Sequence, residues 1–122
     1  MTETIGIVGI GFVGSAINQS FQQKNISTRV YDKYKNGGIG HIEDILEARI
    51  IFLCLPTPLN INTNSYDLES IHETCKYLSD NKYSGLIVIK STICPGTCID
   101  LVQQYSLNIV HNPEFLSART AY

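Results

Sequence analysis

The sequence predicts an α/β fold, with a doubly wound, mostly parallel sheet covered by helices on both faces. Three observations lead to this prediction. Five short runs of branched apolar residues recur along the 122-residue chain, as in strands that are buried on both sides. Segments with helical spacing separate these runs, and strands that alternate with helices form parallel sheets through right-handed crossovers. A glycine-rich stretch, "GIVGIGFVG", joins the first run to the first helical segment.

The five predicted strands are short and nearly continuous in apolar character, which distinguishes them from the longer helical segments. A complete dinucleotide-binding sheet of this type has one further strand. We therefore expect the sixth strand to be missing from this chain. The predicted strands cover residues 5–10, 29–31, 50–55, 86–89 and 107–110.

Three segments between the strands place apolar residues on one helical face. Asp67 is the predicted N-cap of the second helix, and we expect a shorter helix that carries Ile42, Ile45 and Leu46. The apolar faces consist of Val13, Ala16, Ile17 and Phe21 in the first helix, Leu68, Ile71, Cys75 and Leu78 in the second, and Cys98, Leu101, Val102 and Tyr105 in the third.

Charge and composition narrow the possible partners. The chain has 9 basic and 11 acidic residues, a formal net charge of −2 and no basic cluster, so we expect neither nucleic acid nor a membrane as partner. The longest apolar run, residues 50–55, is far too short to cross a bilayer, and we expect a cytoplasmic protein. Cys94 and Cys98 are the only close cysteine pair, which is weak support for a metal, and none is expected. We expect His72 on the solvent face of its helix and His111 hydrogen-bonded near a strand end.

The glycine stretch has the spacing of a phosphate-binding turn. Gly9, Gly11 and Gly14 form G-x-G-x-x-G, in which the first allows a tight turn, the second admits a diphosphate and the third lets helix and strand pack closely. The diphosphate would lie at the positive end of the first helix. Asp32 ends the second strand, where a carboxylate binds the adenosine ribose and repels a 2'-phosphate. The pattern favours a Rossmann-like domain that binds NAD; a mere packing turn, FAD or another nucleotide are the alternatives.

Three further stretches, "LCLPTP", "IKSTICPGT" and "HNPEFL", lie at the carboxyl ends of the third, fourth and fifth predicted strands. Ligands of open α/β sheets bind at the carboxyl ends of the strands. The stretches therefore place the hydroxyls of Thr57, Ser91 and Thr92 and the carboxylate of Glu114 along one rim of the predicted sheet.

Together, "GIVGIGFVG", "FLCLPTP", "VIKSTICPGT" and "NPEFL" resemble the N-terminal, NAD-binding domain of the UDP-glucose/GDP-mannose 6-dehydrogenase family. The resemblance implies an enzyme that oxidises C6 of a nucleotide sugar, UDP-glucose or similar, from alcohol to carboxylate with two NAD. The resemblance also implies that an aldehyde-level intermediate is held on a cysteine thiol. It implies that residues 1–122 are the NAD-binding domain, and that a linker helix and a sugar-binding domain belong to a longer, homodimeric form. This chain alone would bind NAD without oxidising a sugar.

The resemblance also implies roles for individual residues. Thr92 would help to order a catalytic water, and Glu114 would assist proton transfer or water activation. Ser117, Ala118 and Arg119 replace the residues that commonly follow "NPEFL" in the family, so the sugar nucleotide is not identified. The implied cofactor-binding residues are Gly9, Ile10, Gly11, Phe12, Val13 and Gly14 at the diphosphate, Asp32 at the ribose, Leu55, Pro56 and Thr57 along the cofactor's flank, and Ser91 and Thr92 towards the nicotinamide.

Two other functions stay open. One is a non-catalytic module that binds NAD or another nucleotide. The other is a different NAD-dependent dehydrogenase, for example one that acts on a hydroxy acid. A hydroxy-acid dehydrogenase would share the glycine loop, but that function does not account for the stretches "KST" and "NPEFL".

Overall fold

Five strands and three α-helices make up the main layers of the computed structural model, which describes residues 4–94 and 96–113. A two-stranded hairpin and two short 3₁₀ helices complete it. The strands are β1 (Thr4–Val8), β2 (Ser27–Tyr31), β3 (Ile50–Leu53), the hairpin strands β4 (Leu59–Asn60) and β5 (Ser65–Tyr66), β6 (Leu86–Ile89) and β7 (Asn108–His111); the helices are α1 (Phe12–Gln23), α2 (Glu69–Asp80) and α3 (Thr97–Tyr105).

The sheet has the order β2-β1-β3-β6-β7, and all four neighbouring pairs are parallel. The predicted doubly wound, parallel α/β fold is therefore confirmed. The chain moves outwards from β1 to β2 and then returns past β1 to β3. Such a reversal leaves a crevice at the carboxyl ends of the central strands, because the connections on its two sides run in opposite directions.

Hydrophobic residues are buried on both faces of the sheet, as the continuous apolar runs predict. On one face, Ile5 and Ile7 of β1 pack with Phe21 of α1. On the other, Leu53 of β3 packs in a cluster with residues of α2 and α3, including the fully buried Leu78. Burial of each such side chain stabilises the fold by about 1.5–3 kcal/mol, so the two helical layers fix the sheet from both sides.

The structure differs from the sequence prediction at several element boundaries. β1 and β3 end two residues early, because a positive φ of 94° at Gly9 turns the chain and the residues after Leu53 leave the sheet. The short helix is a 3₁₀ helix, Ile42–Glu47, and the hairpin was not predicted. Leu68, rather than Asp67, occupies the N-cap position of α2.

Asp67 nevertheless contributes to the start of α2. Its carboxylate oxygen Oδ1 accepts the N–H of Glu69 at 2.9 Å, which satisfies one of the amides that a helix leaves without an intrahelical partner. The predicted function of the side chain was right and its position was wrong by one residue.

Candidate cofactor-binding site

A cleft of about 530 Å³ opens at the carboxyl ends of β1, β2 and β3, where the strand order reverses. Its walls come from the glycine turn, the loop after β2, the chain after β3 and one face of α2. The lining residues are 8–13, 31–35, 42, 54–56, 70 and 73–74.

The three glycines differ in what surrounds them. Gly9 has a φ of +94°, and a Cβ there would lie 2.5 Å from the carbonyl oxygen of Cys54. Gly14 is buried in α1, where a Cβ would collide with the carbonyl oxygen of Gly9. Gly11 has no atom within 4 Å of a Cβ position. Two glycines therefore serve the packing of the turn, whereas the third leaves open space on the cleft.

The amino end of α1 points its backbone at this open space. Gly11 is the N-cap, no side chain caps the helix, and the first turn contains no acidic residue. The positive end of the helix dipole is thus not neutralised by a carboxylate of the helix itself. Such an end binds phosphate through backbone N–H groups.

The carboxylate of Asp32 accepts backbone hydrogen bonds from both the glycine turn and the loop after β2. One carboxylate oxygen accepts the N–H of Ile10 at 2.8 Å, and the other accepts the N–H groups of Tyr34 and Lys35, both at 2.9 Å. Burial would raise the pKa of Asp32, but these three amides and the charge of Lys35 hold it below its ordinary value of 3.8. Asp32 is therefore ionised at neutral pH, and its carboxylate organises the loop that lines the cleft.

Two lysines after β2 have different partners. The ammonium of Lys33 forms an ion pair with Glu73 of α2 at 3.0 Å and lies 5.4 Å from the ring centre of Tyr34. The ammonium of Lys35 donates a hydrogen bond of 2.6 Å to the carbonyl oxygen of Ile10. Both lysines line the cleft, so each adds positive charge beside it.

The face of α2 that reaches the cleft was not predicted as part of the site. It carries Ser70, Glu73 and Thr74, which are spaced i, i+3 and i+4 and therefore share one face of the helix. This spacing is visible in the sequence. What the spacing does not reveal is that this face, rather than another polar face, is next to the glycine turn.

Two predicted hydroxyls connect the chain after β3 with the chain after β6. The hydroxyl of Thr57 donates to the carbonyl of Thr92, and that of Ser91 donates to the carbonyl of Leu55, each at 2.6 Å. His111 donates from Nε2 to the carbonyl of Ser91 at 3.0 Å, as expected for a histidine near a strand end. These bonds fix the ends of β3, β6 and β7 relative to one another.

The structure brings most of the predicted cofactor-binding residues together. Thr57, Ser91 and Thr92 are not on the cleft's walls, and the buried Gly14 supports the turn from behind. Glu114, predicted to be catalytic, lies outside the described residues, as do Ser117, Ala118 and Arg119. The predicted residues that line the cleft are Gly9, Ile10, Gly11, Phe12, Val13, Asp32, Leu55 and Pro56.

The prediction for His72 was wrong. Its ring is partly buried between α2 and α3, with Nδ1 2.7 Å from the hydroxyl oxygen of Tyr105, because the polar edge of α2 faces α3 rather than solvent.

None of the four cysteines forms a disulfide, and burial raises the pKa of Cys75 to about 12. Within residues 4–94 and 96–113, no group of three metal-ligating side chains occurs.

A second cavity, of about 660 Å³, lies at the opposite end of the sheet. It is larger than the cleft and is lined by residues such as Arg49, Lys82 and Tyr83 near the amino ends of β3 and β6. Parallel α/β sheets bind ligands at the carboxyl ends of their strands. Because the glycine turn and Asp32 also lie at that end, the smaller cleft is the candidate cofactor site.

Comparison with known proteins identifies a family match over more than half of the chain. Residues 39–122 match the family model described as UDP-glucose/GDP-mannose dehydrogenase family, NAD binding domain. This range begins after the glycine turn and Asp32. The match thus depends on the later stretches, and the glycine cleft is an independent observation.

Individual relatives agree with this match. The chain is 30% identical to GDP-mannose 6-dehydrogenase of Azotobacter vinelandii over 65% of its own length and 21% of that protein. It is also 30% identical to UDP-glucose 6-dehydrogenase of Rickettsia felis, over 64% of its length and 18% of that protein. It therefore spans about a fifth of these relatives.

A solved structure supports the fold. A UDP-glucose dehydrogenase of Pyrobaculum islandicum superimposes with a TM-score of 0.77 at 18% identity, over 99% of this chain and 38% of that one. Among the described residues, no helix combines the length and apolar character that a bilayer crossing requires.

Proposed function

This chain belongs to the UDP-glucose/GDP-mannose dehydrogenase family as its NAD-binding domain, and on that premise we propose that it is the cofactor-binding half of a nucleotide-sugar 6-dehydrogenase. The substrate would be UDP-glucose or a similar nucleotide sugar, oxidised at C6 from alcohol to carboxylate. The longer protein would act as a cytoplasmic homodimer, and residues 1–122 would form one NAD-binding Rossmann domain within it.

The stoichiometry of this reaction follows from electron counting. Oxidation of a primary alcohol to a carboxylate removes four electrons, whereas each NAD accepts two as a hydride. Two NAD molecules are therefore reduced for each sugar, and one water supplies the second carboxylate oxygen. The NAD-binding domain would receive the cofactor twice in each complete reaction.

The observation that carries the proposal is the cleft at the strand-order reversal. Gly11 leaves open space at the uncapped amino end of α1, which suits a diphosphate. Asp32 lies on the same cleft as an ionised carboxylate, which suits the two ribose hydroxyls of NAD and repels the 2'-phosphate of NADP. An NAD molecule laid along the cleft would have its adenosine near the loop after β2.

We assign the remaining residues by this orientation. Leu55 and Pro56 would contact the cofactor beyond the diphosphate, because they line the cleft after β3. Thr57, Ser91 and Thr92 would lie towards the nicotinamide, with Thr92 also ordering the water that supplies the second oxygen. Glu114 would assist proton transfer at the sugar.

Titration calorimetry of this chain with NAD and NADP tests the cofactor assignment. We expect saturable binding of NAD and weaker binding of NADP. Absence of NAD binding would overturn the proposal for the cleft.

Turnover is tested on the complete product of the gene, with UDP-glucose and GDP-mannose as substrates and NADH absorbance as the readout. We expect two NADH for each sugar consumed. One NADH for each substrate would indicate a different NAD-dependent dehydrogenase, and NAD binding without turnover of any substrate would indicate a non-catalytic module.

A further inference from the structure

The peptide groups of Ile10, in the middle of the glycine turn, are held from two directions by the loop after β2. The N–H of Ile10 donates to the carboxylate of Asp32 at 2.8 Å, and its carbonyl oxygen accepts from the ammonium of Lys35 at 2.6 Å. Lys35 also donates its own N–H to Asp32 at 2.9 Å. Asp32, Lys35 and Ile10 thus form a closed ring of hydrogen bonds between two loops that are 22 or more residues apart in sequence.

The carbonyl oxygen of Ile10 carries a partial negative charge, which affects how the glycine turn binds an anion. The glycine turn attracts a diphosphate through N–H groups and the positive end of α1, whereas a carbonyl dipole near the same anion opposes binding. A charged donor gives a stronger hydrogen bond than a neutral one. The short bond from Lys35 therefore both fixes the direction of the Ile10 carbonyl and offsets its negative charge.

We propose that Lys35 is a positioning residue for the cofactor's diphosphate, acting through the carbonyl of Ile10. The inference rests on the proposed binding of NAD in this cleft. In this role, the ammonium holds the glycine turn in the geometry that presents the amino end of α1 to the diphosphate. Asp32, on the other side of the same peptide, connects this turn to the ribose site.

The neighbouring Lys33 provides a matched control. It carries the same charge two residues away and also lines the cleft, but its ammonium is paired with Glu73 at 3.0 Å. Lys33→Met removes one positive charge from the cleft and leaves the Lys35 hydrogen bond in place. Comparison of the two variants separates a general effect of charge from the specific contact with Ile10.

The test compares ADP, which has the diphosphate, with adenosine, which has only the ribose and base. Dissociation constants of both ligands are measured by nuclear magnetic resonance titration for the wild-type chain, Lys35→Met, Lys35→Arg and Lys33→Met. We expect Lys35→Met to weaken ADP binding about five- to tenfold, since a charge-assisted hydrogen bond is lost at an exposed site. Adenosine binding should change less than about twofold.

Lys35→Arg should restore most of the affinity for ADP, because a guanidinium can donate to the same carbonyl. The inference is overturned if Lys35→Met weakens both ligands equally, which would indicate a general loss of structure, or if Lys33→Met lowers ADP affinity as much. If the wild-type chain binds neither ligand, the proposed NAD site itself fails; a wild-type chain that binds ADP while Lys35→Met binds it equally well refutes only the role of Lys35.

Discussion

Replacement of Gly11 by alanine should weaken NAD binding and leave the fold intact. Replacement of Gly9 by alanine should instead destabilise the fold. The two residues are both in the glycine turn, but their surroundings differ. A Cβ at Gly11 has no protein atom within 4 Å, while a Cβ at Gly9 would lie 2.5 Å from the carbonyl oxygen of Cys54. The pair therefore separates space reserved for a ligand from space occupied by the protein.

The expected magnitudes follow from these surroundings. At Gly9, alanine would adopt a left-handed φ at a cost of about 1–2 kcal/mol, and the collision with backbone would add about 1–3 kcal/mol. The sum of about 2–5 kcal/mol corresponds to a fall in melting temperature of roughly 5–20 °C for a chain of this length. At Gly11, the weaker N-cap costs about 0.5–1 kcal/mol, and the reduced entropy of the unfolded chain offsets about 0.4–1 kcal/mol.

The affinity for NAD, in contrast, should fall because of the change at Gly11. The methyl group of alanine at position 11 would occupy the space next to the first amides of α1, and the hydrogen bonds to a diphosphate there would lengthen or break. Loss of one such charge-assisted bond costs about 1.5–3 kcal/mol, which lowers affinity about ten- to a hundredfold.

Thermal unfolding followed by circular dichroism and calorimetric titration with NAD measure the two quantities on the same samples. We expect Gly11→Ala to melt within a few degrees of wild type and to bind NAD at least about tenfold more weakly. Wild-type affinity in Gly11→Ala would refute the assignment of the diphosphate to this end of α1. A melting temperature as low as that of Gly9→Ala would refute the claim that the space is open.

Three further predictions concern single contacts. Asp32→Asn should weaken NAD binding; its deficit in unfolding free energy, measured by urea titration, should be constant above about pH 5 and shrink as the pH falls below 3.8, because a carboxylate whose pKa is lowered on folding stabilises the fold only while ionised. A deficit that grows on acidification would contradict this. Ser91→Ala should destabilise the fold by about 1–2 kcal/mol and weaken NAD binding, since its hydroxyl fixes Leu55 on the cleft; unchanged affinity would remove that connection. Tyr83→Phe, which leaves the Ala48 carbonyl without its donor, should cost about 1 kcal/mol with NAD affinity unchanged, and an altered affinity would show that the two ends of the sheet are coupled.

Local patterns in the sequence were sufficient to predict the layers of the fold. A strand covered on both faces must be apolar on both, so the runs in β1, β3 and β6 are continuous, and a helix packed on one side must repeat its apolar residues every turn. The spacing of Gly9, Gly11 and Gly14 likewise predicts a turn that continues into a helix. These are properties of neighbouring residues, and they are present in the sequence whatever the rest of the chain does.

The tertiary structure decided which of these elements face one another. Asp32 was predicted at the tip of β2, but its bond to Ile10 exists only because β2 lies beside β1 in the sheet. The polar face of α2 reaches the cleft, and His72 contacts α3, because of how α2 packs against the neighbouring elements. Periodicity shows which side of a helix is buried or polar, but a hydrogen bond between distant residues depends on the packing of whole elements, which no local pattern specifies.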